Sequence, residues 1–534
     1  MAAGLLARLQ PGRDPVMLLS ENSIEHALLQ LACMYVGVPV APVSPAYSLL
    51  SQDHVRLKHI AGLLKPRIIF AGDGQLFGPA LASLDLTNVE VVVCENPPNA
   101  IPATRFETLS EARADESVDK AFAMVGPDTL AKILFTSGSA GIPKGVQNTQ
   151  RMLCSNQEAT LQIWPFLKDN PPILLDWLPW NHTFGGNQNF GLVLRNGGTF
   201  YIDNGKPAPG AIERTIENIR DVSPTIYFNV PRGYAMLLPY LEADSALRDC
   251  FFAKLELIFY AGAALPKDLW SRLEKLSVVA RGGIVPITSS WGATETAPTV
   301  TSTHFPTERP GVISLPIPGT EIKFIPNTGP NTGKLEMRVR GPQVTPGYYR
   351  QDELTNSAFD AEGFYKIGDA GKLAEPDRPE KGIVFDGRVA EDFKLLSGVW
   401  VSTGKIRIAA IDAASPLIQD AVVAGQDRDE IGLLVFLSPA ACADCIATNQ
   451  STTSPDFARD AGIRERIRAG IASYNASHPA SSERIARVLL LSEPPSIDDN
   501  EITDKGYINQ RAILERRASL VDELFSGGGS VIAP

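Results

Sequence analysis

Short β-branched and aromatic runs alternate with stretches of helical periodicity, and this alternation restricts the possible folds more than any other feature of the chain. The runs include Arg67–Phe70 (RIIF), Val89–Cys94 (VEVVVC), Ala131–Phe135 (AKILF), Thr225–Phe228 (TIYF) and Leu255–Tyr260 (LELIFY). A Gly- or Pro-marked turn and then a helical pattern are expected after each. Ala211–Ile219 and Lys267–Leu276 carry apolar residues at three- and four-residue spacing. Strands alternating with helices imply βαβ units, largely parallel sheets and an α/β class. From about Gly311 the texture changes to short strands with Gly/Pro/Asn turns, as in NTGPNTGKLEMRVRG, which predicts an antiparallel or barrel-like subdomain. A further change near Gly387–Asp392 precedes short strands and an amphipathic helix around Phe457–Ser473. The expected organisation is a large domain over 1–388 and a small α+β domain over 389–534. The tail SGGGSVIAP reads as a flexible end without structure.

A chain of 534 residues is expected to form two to four compact units. Its 44% apolar and 20% charged residues are those of a globular protein. With 49 Lys and Arg against 60 Asp and Glu, the net charge of −11 argues against a general nucleic-acid binder. Six cysteines are too few for a disulfide scaffold and suit a reducing compartment. Cys442 and Cys445 form a C-x-x-C, but no second pair or suitable histidines lie near, so they read as ordinary cysteines. The opening MAAGLLARLQPGR reads as the end of a helix rather than a leader. No apolar run reaches the roughly 18 residues of a membrane span, so a soluble, cytoplasmic protein is expected.

The segment AKILFTSGSAGIPKG (131–145) carries the strongest chemical signal. An apolar strand runs into Thr136, Ser137, Gly138, Ser139 and Gly141, and Lys144 follows. Glycines let backbone N–H groups converge on an anion, hydroxyls add donors, and a lysine supplies charge for a polyphosphate. Lys144 is followed by Gly145, so this is not a Walker A loop. FAGDGQLFG (70–78) misses the dinucleotide fingerprint because its third glycine falls one residue late.

TSGSAGIPKG resembles the signature loop of the adenylate-forming, AMP-binding acyl-CoA synthetases, with Ala140 where a threonine is usual. Further matching motifs follow in order: YAGAALP (260–266), SSWGATET (289–296), YKIGD (365–369), GRVAEDFK (387–394) and NEITDKG (500–506). DWLPWNHTFGGNQNFG (176–191), FKLLSGVWVS (393–402) and NEITDKGYINQ look most like feruloyl-CoA synthetases within that family. The resemblance implies that ATP and CoA are co-substrates and that Mg²⁺ is held by Glu295. Thr294 is then a phosphate hydroxyl, and Gly262, Ala263 and Ala264 face the adenine. Trp291, beside Gly292, covers the base or else packs in the core. Asp369 accepts the ribose hydroxyls, and Arg388 pairs with ribose or phosphate. Lys505 is the catalytic lysine, and the C-terminal domain turns about a hinge at Glu391–Asp392 between half-reactions.

His182, flanked by Trp180 and Phe184, is the histidine expected to border the carboxylate site. Trp180, His182, Tyr227, Phe228 and Gly262 are expected to line a pocket for a flat aryl acid, although an ordinary buried strand would look the same at 227–228. The function implied is ligation of an aryl or hydroxycinnamic acid to CoA through an acyl-adenylate, as in phenylpropanoid degradation. Loading of a separate carrier protein and nucleotide binding without turnover stay open, as does a homodimer. Relatives usually begin with several tens of residues before the segment matching Met1; the surface that segment covers is expected to expose apolar area and favour association.

Overall fold

The computed structural model describes residues 1–10, 14–137, 142–208, 210–263, 265–304, 312–326, 334–389, 391–446, 456–503, 506 and 508–534. Two compact units form: residues 1–323, 338–367 and 373–384 in the first, residues 324–337, 368–372 and 385–534 in the second.

The first unit contains a seven-stranded sheet. Val16–Leu19 lies at its middle, flanked by Ile68–Asp73, Glu90–Glu95 and Thr104–Arg105 on one side and by Val40–Pro42, Leu130–Ser137 and Pro143–Thr149 on the other. Val16, Met17, Leu18 and Leu19 are all fully buried, as a parallel strand covered on both faces requires. The helical pattern expected after Ala131–Phe135 is corrected. That strand returns directly as an antiparallel partner, pairing Thr136 with Lys144 and Ser137 with Pro143. The β-branched Val146 and Thr149 suit a strand, and Pro143 occupies its first position, where its missing N–H is tolerated.

A second sheet in this unit runs parallel through Ile226–Asn229, Leu257–Tyr260 and Ile287–Gly292, then antiparallel through Thr299–Ser302 and Val312–Pro316. The antiparallel texture therefore begins slightly before Gly311. The helix Ile212–Asp221 buries Ile212, Ile216 and Ile219 on one stripe. A two-stranded parallel sheet joins Ile173–Asp176 to Thr199–Ile202. Elsewhere on the unit the rings of Tyr35 and Phe122 stack 4.5 Å apart beside Met124, which is 82% exposed. These rings, with Leu31 and Met34, border an open cleft of about 490 Å³.

The second unit is built on Ile418–Ala424, Ile431–Leu437, Ile485–Leu491 and Val531–Ile532, in that order across one sheet. Ile463, Ile467 and Ile471, one helical turn apart along Ala461–Ser477, are fully packed against it. The reading of the tail as unstructured is corrected: Val488 pairs with Ile532 and Leu489 with Val531, antiparallel. Ile532 is 5% exposed, so burial of an apolar pair holds an end that glycines alone would leave loose. Cys442 is buried and Cys445 faces the Arg466 guanidinium at 3.0 Å; both are free thiols. Among the described residues no helix is long and apolar enough to cross a membrane.

Candidate active site

The loop carrying His182 leads into a six-residue π-helix, Phe184–Asn189, which continues as the α-helix Phe190–Asn196. Its two glycines follow from close packing. A Cβ at Gly185 would collide with the carbonyl of Leu178, and one at Gly186 with that of Trp180. A π-helix spaces its own hydrogen bonds wider than an α-helix, and such turns occur frequently at functional sites. Side chains serve its carbonyls here. Lys132 donates Nζ to the Gly186 carbonyl at 2.8 Å, and Gln157 donates Nε2 to those of Asn187 and Gln188 at 2.9 and 3.2 Å. Asn187 reaches Asn148 Oδ1 at 2.9 Å and Thr183 at 3.1 Å, and Asn189 donates to Asp176 Oδ2 at 2.7 Å.

This polar layer is desolvated, and its titrations shift as burial dictates. Burial lowers Lys132 to about 7. Burial, helped by the nearby Lys132 charge, lowers His26 to about 3, so its ring is neutral. His26 shares a 2.8 Å bond between Nδ1 and Ser20 Oγ and meets Trp180 edge-on at 5.4 Å. Burial raises the Asp176 carboxyl to about 7 against the opposing bond from Asn189. His182 itself is half-buried, and its carbonyl accepts from the Gly186 N–H at 2.8 Å.

At and just beyond the carboxyl ends of the second sheet's parallel strands lie Gly262 and Ala263, both exposed, and the corner at 291–295. Open α/β sheets bind ligands at that edge. Thr294 and Glu295 begin a 3₁₀ turn and are 4% and 8% exposed. Tyr348 donates its hydroxyl to Glu295 Oε1 at 3.0 Å, and the Tyr365 hydroxyl lies 3.4 Å from that of Tyr348. Burial, then the Glu295 charge, pushes both phenols well up, so at neutral pH they stay protonated donors. Lys144 Nζ lies 5.1 Å from the centre of the Tyr348 ring. The segment holding Tyr348 is pinned to the hairpin by the Tyr349 N–H on Gly145 (2.7 Å) and the Thr345 hydroxyl on Gln147 (2.7 Å), and to the corner by the Thr345 N–H on Glu295 (2.8 Å). Thus the hairpin carrying Lys144 and the Glu295 corner converge through 345–349, a connection that reading each motif separately misses. The two tyrosines after Pro346-Gly347 were its only local signal.

Thr136 is half-buried at the end of the strand and Ser137 is its last residue. Gly138, Ser139, Gly141, Ala264 and Lys505 lie outside the described residues. Three residues expected in the pocket are buried among other side chains. Trp180 is 2% exposed, enclosed by His26, Phe190 and Phe200. Tyr227 is 1% exposed against Tyr234 and Phe251. Phe228 packs on Phe184 and Phe259. Alternation along one strand sends Tyr227 and Phe228 to opposite faces, and both faces are filled. Trp291 is 8% exposed on a strand, and Gly292 beside it is exposed.

Within the second unit, Gly368 takes φ +83° before Asp369, and Arg388 sits 3.9 Å from Asp369 and 3.7 Å from Glu391. The Glu391 carbonyl accepts from the Thr403 hydroxyl at 2.7 Å. Asp392 accepts from the Thr403 N–H at 3.1 Å and pairs with Lys334, so it satisfies one of the free N–H groups at the start of the helix Thr403–Ala413.

The chain matches the family described as "AMP-binding enzyme" over residues 1–349, and the one described as "AMP-binding enzyme C-terminal domain" over 406–528. A long-chain-fatty-acid–CoA ligase of Mycobacterium bovis is 24% identical over 98% of this chain and 90% of its own. An anthranilate–CoA ligase of Pseudomonas aeruginosa is 27% identical over 81% of this chain and 77% of its own. Among solved structures, the anthranilate CoA ligase AuaEII in complex with anthranoyl-AMP has a TM-score of 0.73 at 19% identity, covering 98% of this chain and 91% of that one. ATP-bound MatB from Rhodopseudomonas palustris has a TM-score of 0.68 at 23% identity, covering 97% and 92%. These likenesses show the fold: α/β, with a large N-terminal domain and a small C-terminal one.

Proposed function

Because the chain belongs to the AMP-binding enzyme family, we propose that it is an AMP-forming acid–CoA ligase acting on an aryl or hydroxycinnamic acid of the ferulate kind. The observation that carries this reading is the convergence of the Lys144 hairpin and the Glu295 corner on Tyr348. A cation and a carboxylate are held there. The substrate carboxylate attacks the α-phosphate of ATP, pyrophosphate leaves, and the CoA thiol then displaces AMP from the mixed anhydride. Alignment and charge placement do the catalysis, without a protein nucleophile. Thr136, Ser137, Gly138, Ser139, Gly141 and Lys144 hold phosphates, and Gly262, Ala263, Ala264, Trp291 and Gly292 the base. Asp369 and Arg388 hold the ribose, and Lys505 stabilises the charge at the reacting centre. A boundary at 389, with Glu391–Asp392 as the hinge, is part of the same proposal.

The residues present fit a magnesium ion. Glu295 is a hard oxygen donor whose Oε1 is oriented by Tyr348, and Mg²⁺ is usually bound by one or two carboxylates together with substrate phosphates. When bound, the ion neutralises phosphate charge. Glu295→Gln keeps an acceptor for Tyr348 but removes the charge. It is expected to raise the Mg²⁺ concentration for half-maximal pyrophosphate release by about tenfold or more, leaving the thermal unfolding midpoint unmoved. An unchanged Mg²⁺ dependence would assign the ion to another carboxylate.

The ferulate-like choice is supported by the WNHTFGG segment and by anthranilate ligases among the relatives. A pyrophosphate-release screen over cinnamic, benzoic and medium-chain acids, with and without CoA, tests it. Ferulate and p-coumarate are expected to exceed octanoate in kcat/KM. Octanoate above every aryl acid would overturn the substrate class. Transfer to a purified carrier protein but not to CoA would overturn the acceptor, and ATP binding without turnover on any acid would overturn the activity.

A further inference from the structure

Lys132 lies in the strand that opens AKILFTSGSAGIPKG but has none of the roles assigned to that motif, and its position is an unusual one for a lysine. It lies inside the strand Leu130–Ser137, with Val40 beside it on one neighbour and Asn148 on the other, and is 2% exposed. Among the described residues no carboxylate forms an ion pair with it. Its Nζ makes one hydrogen bond, to the Gly186 carbonyl at 2.8 Å, and lies 5.9 Å from the centre of the Phe190 ring. Burying an amine without a counter-charge is unfavourable, and an apolar residue of similar volume would fill the same space more easily. The bond therefore has a role beyond filling the core.

The geometry shows what the bond holds. Gln157, Asn148 and Asp176 grip residues 187–189 of the π-helix, whereas Lys132 grips its third residue, Gly186. The carbonyl that Lys132 fixes belongs to Gly186, the residue whose N–H, on the preceding peptide, donates to the His182 carbonyl at 2.8 Å. Lys132 thus connects the strand entering the phosphate loop to the main chain of His182 through two consecutive hydrogen bonds.

We propose that Lys132 is a positioning residue that sets the π-turn and, through it, the His182 side of the acid pocket. The consequence for catalysis rests on the acid-ligase reading above; the effect on the π-turn does not. Lys132→Met in the full chain separates the two. Backbone amide exchange across 182–190 is expected to accelerate on the order of tenfold, with the rest of the sheet unchanged. KM for ferulate is expected to rise by about tenfold or more while KM for ATP stays within about twofold, since small misplacements of a binding wall act on the group it touches. The melting temperature should not fall, because a lone buried amine is replaced by an apolar side chain. Unchanged exchange at 182–190, equal rises in both KM values, or a variant that fails to fold would each overturn the proposal. If the wild-type protein converts no acid, the ligase reading fails, and the exchange measurement still decides the role of Lys132.

Discussion

Lys505→Ala is expected to reduce acid-dependent pyrophosphate release by a factor on the order of 10²–10³, the usual effect of removing a preorganised donor from a developing negative charge. In the proposed reaction that charge concentrates on the α-phosphate and the attacking carboxylate during adenylation only. Thioester formation starts from an adenylate already made, so the same variant should convert chemically prepared acyl-adenylate and CoA at close to the wild-type rate. The two assays together are decisive. Equal losses in both would indicate a folding defect, and intact pyrophosphate release would remove Lys505 from the reaction. Lys505 lies outside the described residues, so its assignment stands on the resemblance of NEITDKG and on this kinetic separation.

Arg517→Met is expected to destabilise the second unit by about 3–5 kcal/mol, the scale for removing one partner of a buried ion pair. Arg517 forks onto both oxygens of Glu501 at 2.7 and 2.6 Å, with the two side chains 11% and 4% exposed. Its other donors reach the carbonyls of Glu493 and Pro494, and Glu501 also accepts from the Ser496 N–H. Burial pushes the Glu501 carboxyl up, but the Arg517 fork and the Ser496 amide outweigh it, and the carboxyl sits below its ordinary value. A depressed carboxyl stabilises the fold above its unfolded pKa, and that stability is lost as pH falls through the folded one. In the variant the carboxylate is stranded and is protonated more easily. The gap between wild type and variant should therefore be widest at neutral pH and narrow towards pH 4, read as urea midpoints across that range. A constant gap, or one below about 1 kcal/mol at pH 7, would show the pair to be solvent-screened.

Much of the fold could be read because parallel strands buried on both faces leave near-continuous apolar runs. Residues 67–70 and 89–94 fall within three residues of the bounds of the strands Ile68–Asp73 and Glu90–Glu95. The Glu295 corner was legible for a different reason, since its chemistry is confined to one short turn. What escaped is non-local. FGGNQN reads as a loop because no periodic signal distinguishes a π-helix, whose carbonyls are satisfied by Lys132 and Gln157, distant in the chain. Tyr348 serves Glu295 from a separate strand-like segment. Tyr227 and Phe228 look alike in a sequence, and only the packing on each face shows that neither is open.

The short terminal strand Val531–Ile532 matters for how the small unit behaves in solution. Without it, Ile485–Leu491 would form the border of its sheet, with main-chain groups unpaired along IARVLLL. An uncapped border of that composition is a template for intermolecular β-pairing. Val531 and Ile532 cover that border at Val488 and Leu489, so clipping at the glycines of 527–529 is expected to favour association, read by light scattering, without touching any residue of the proposed reaction.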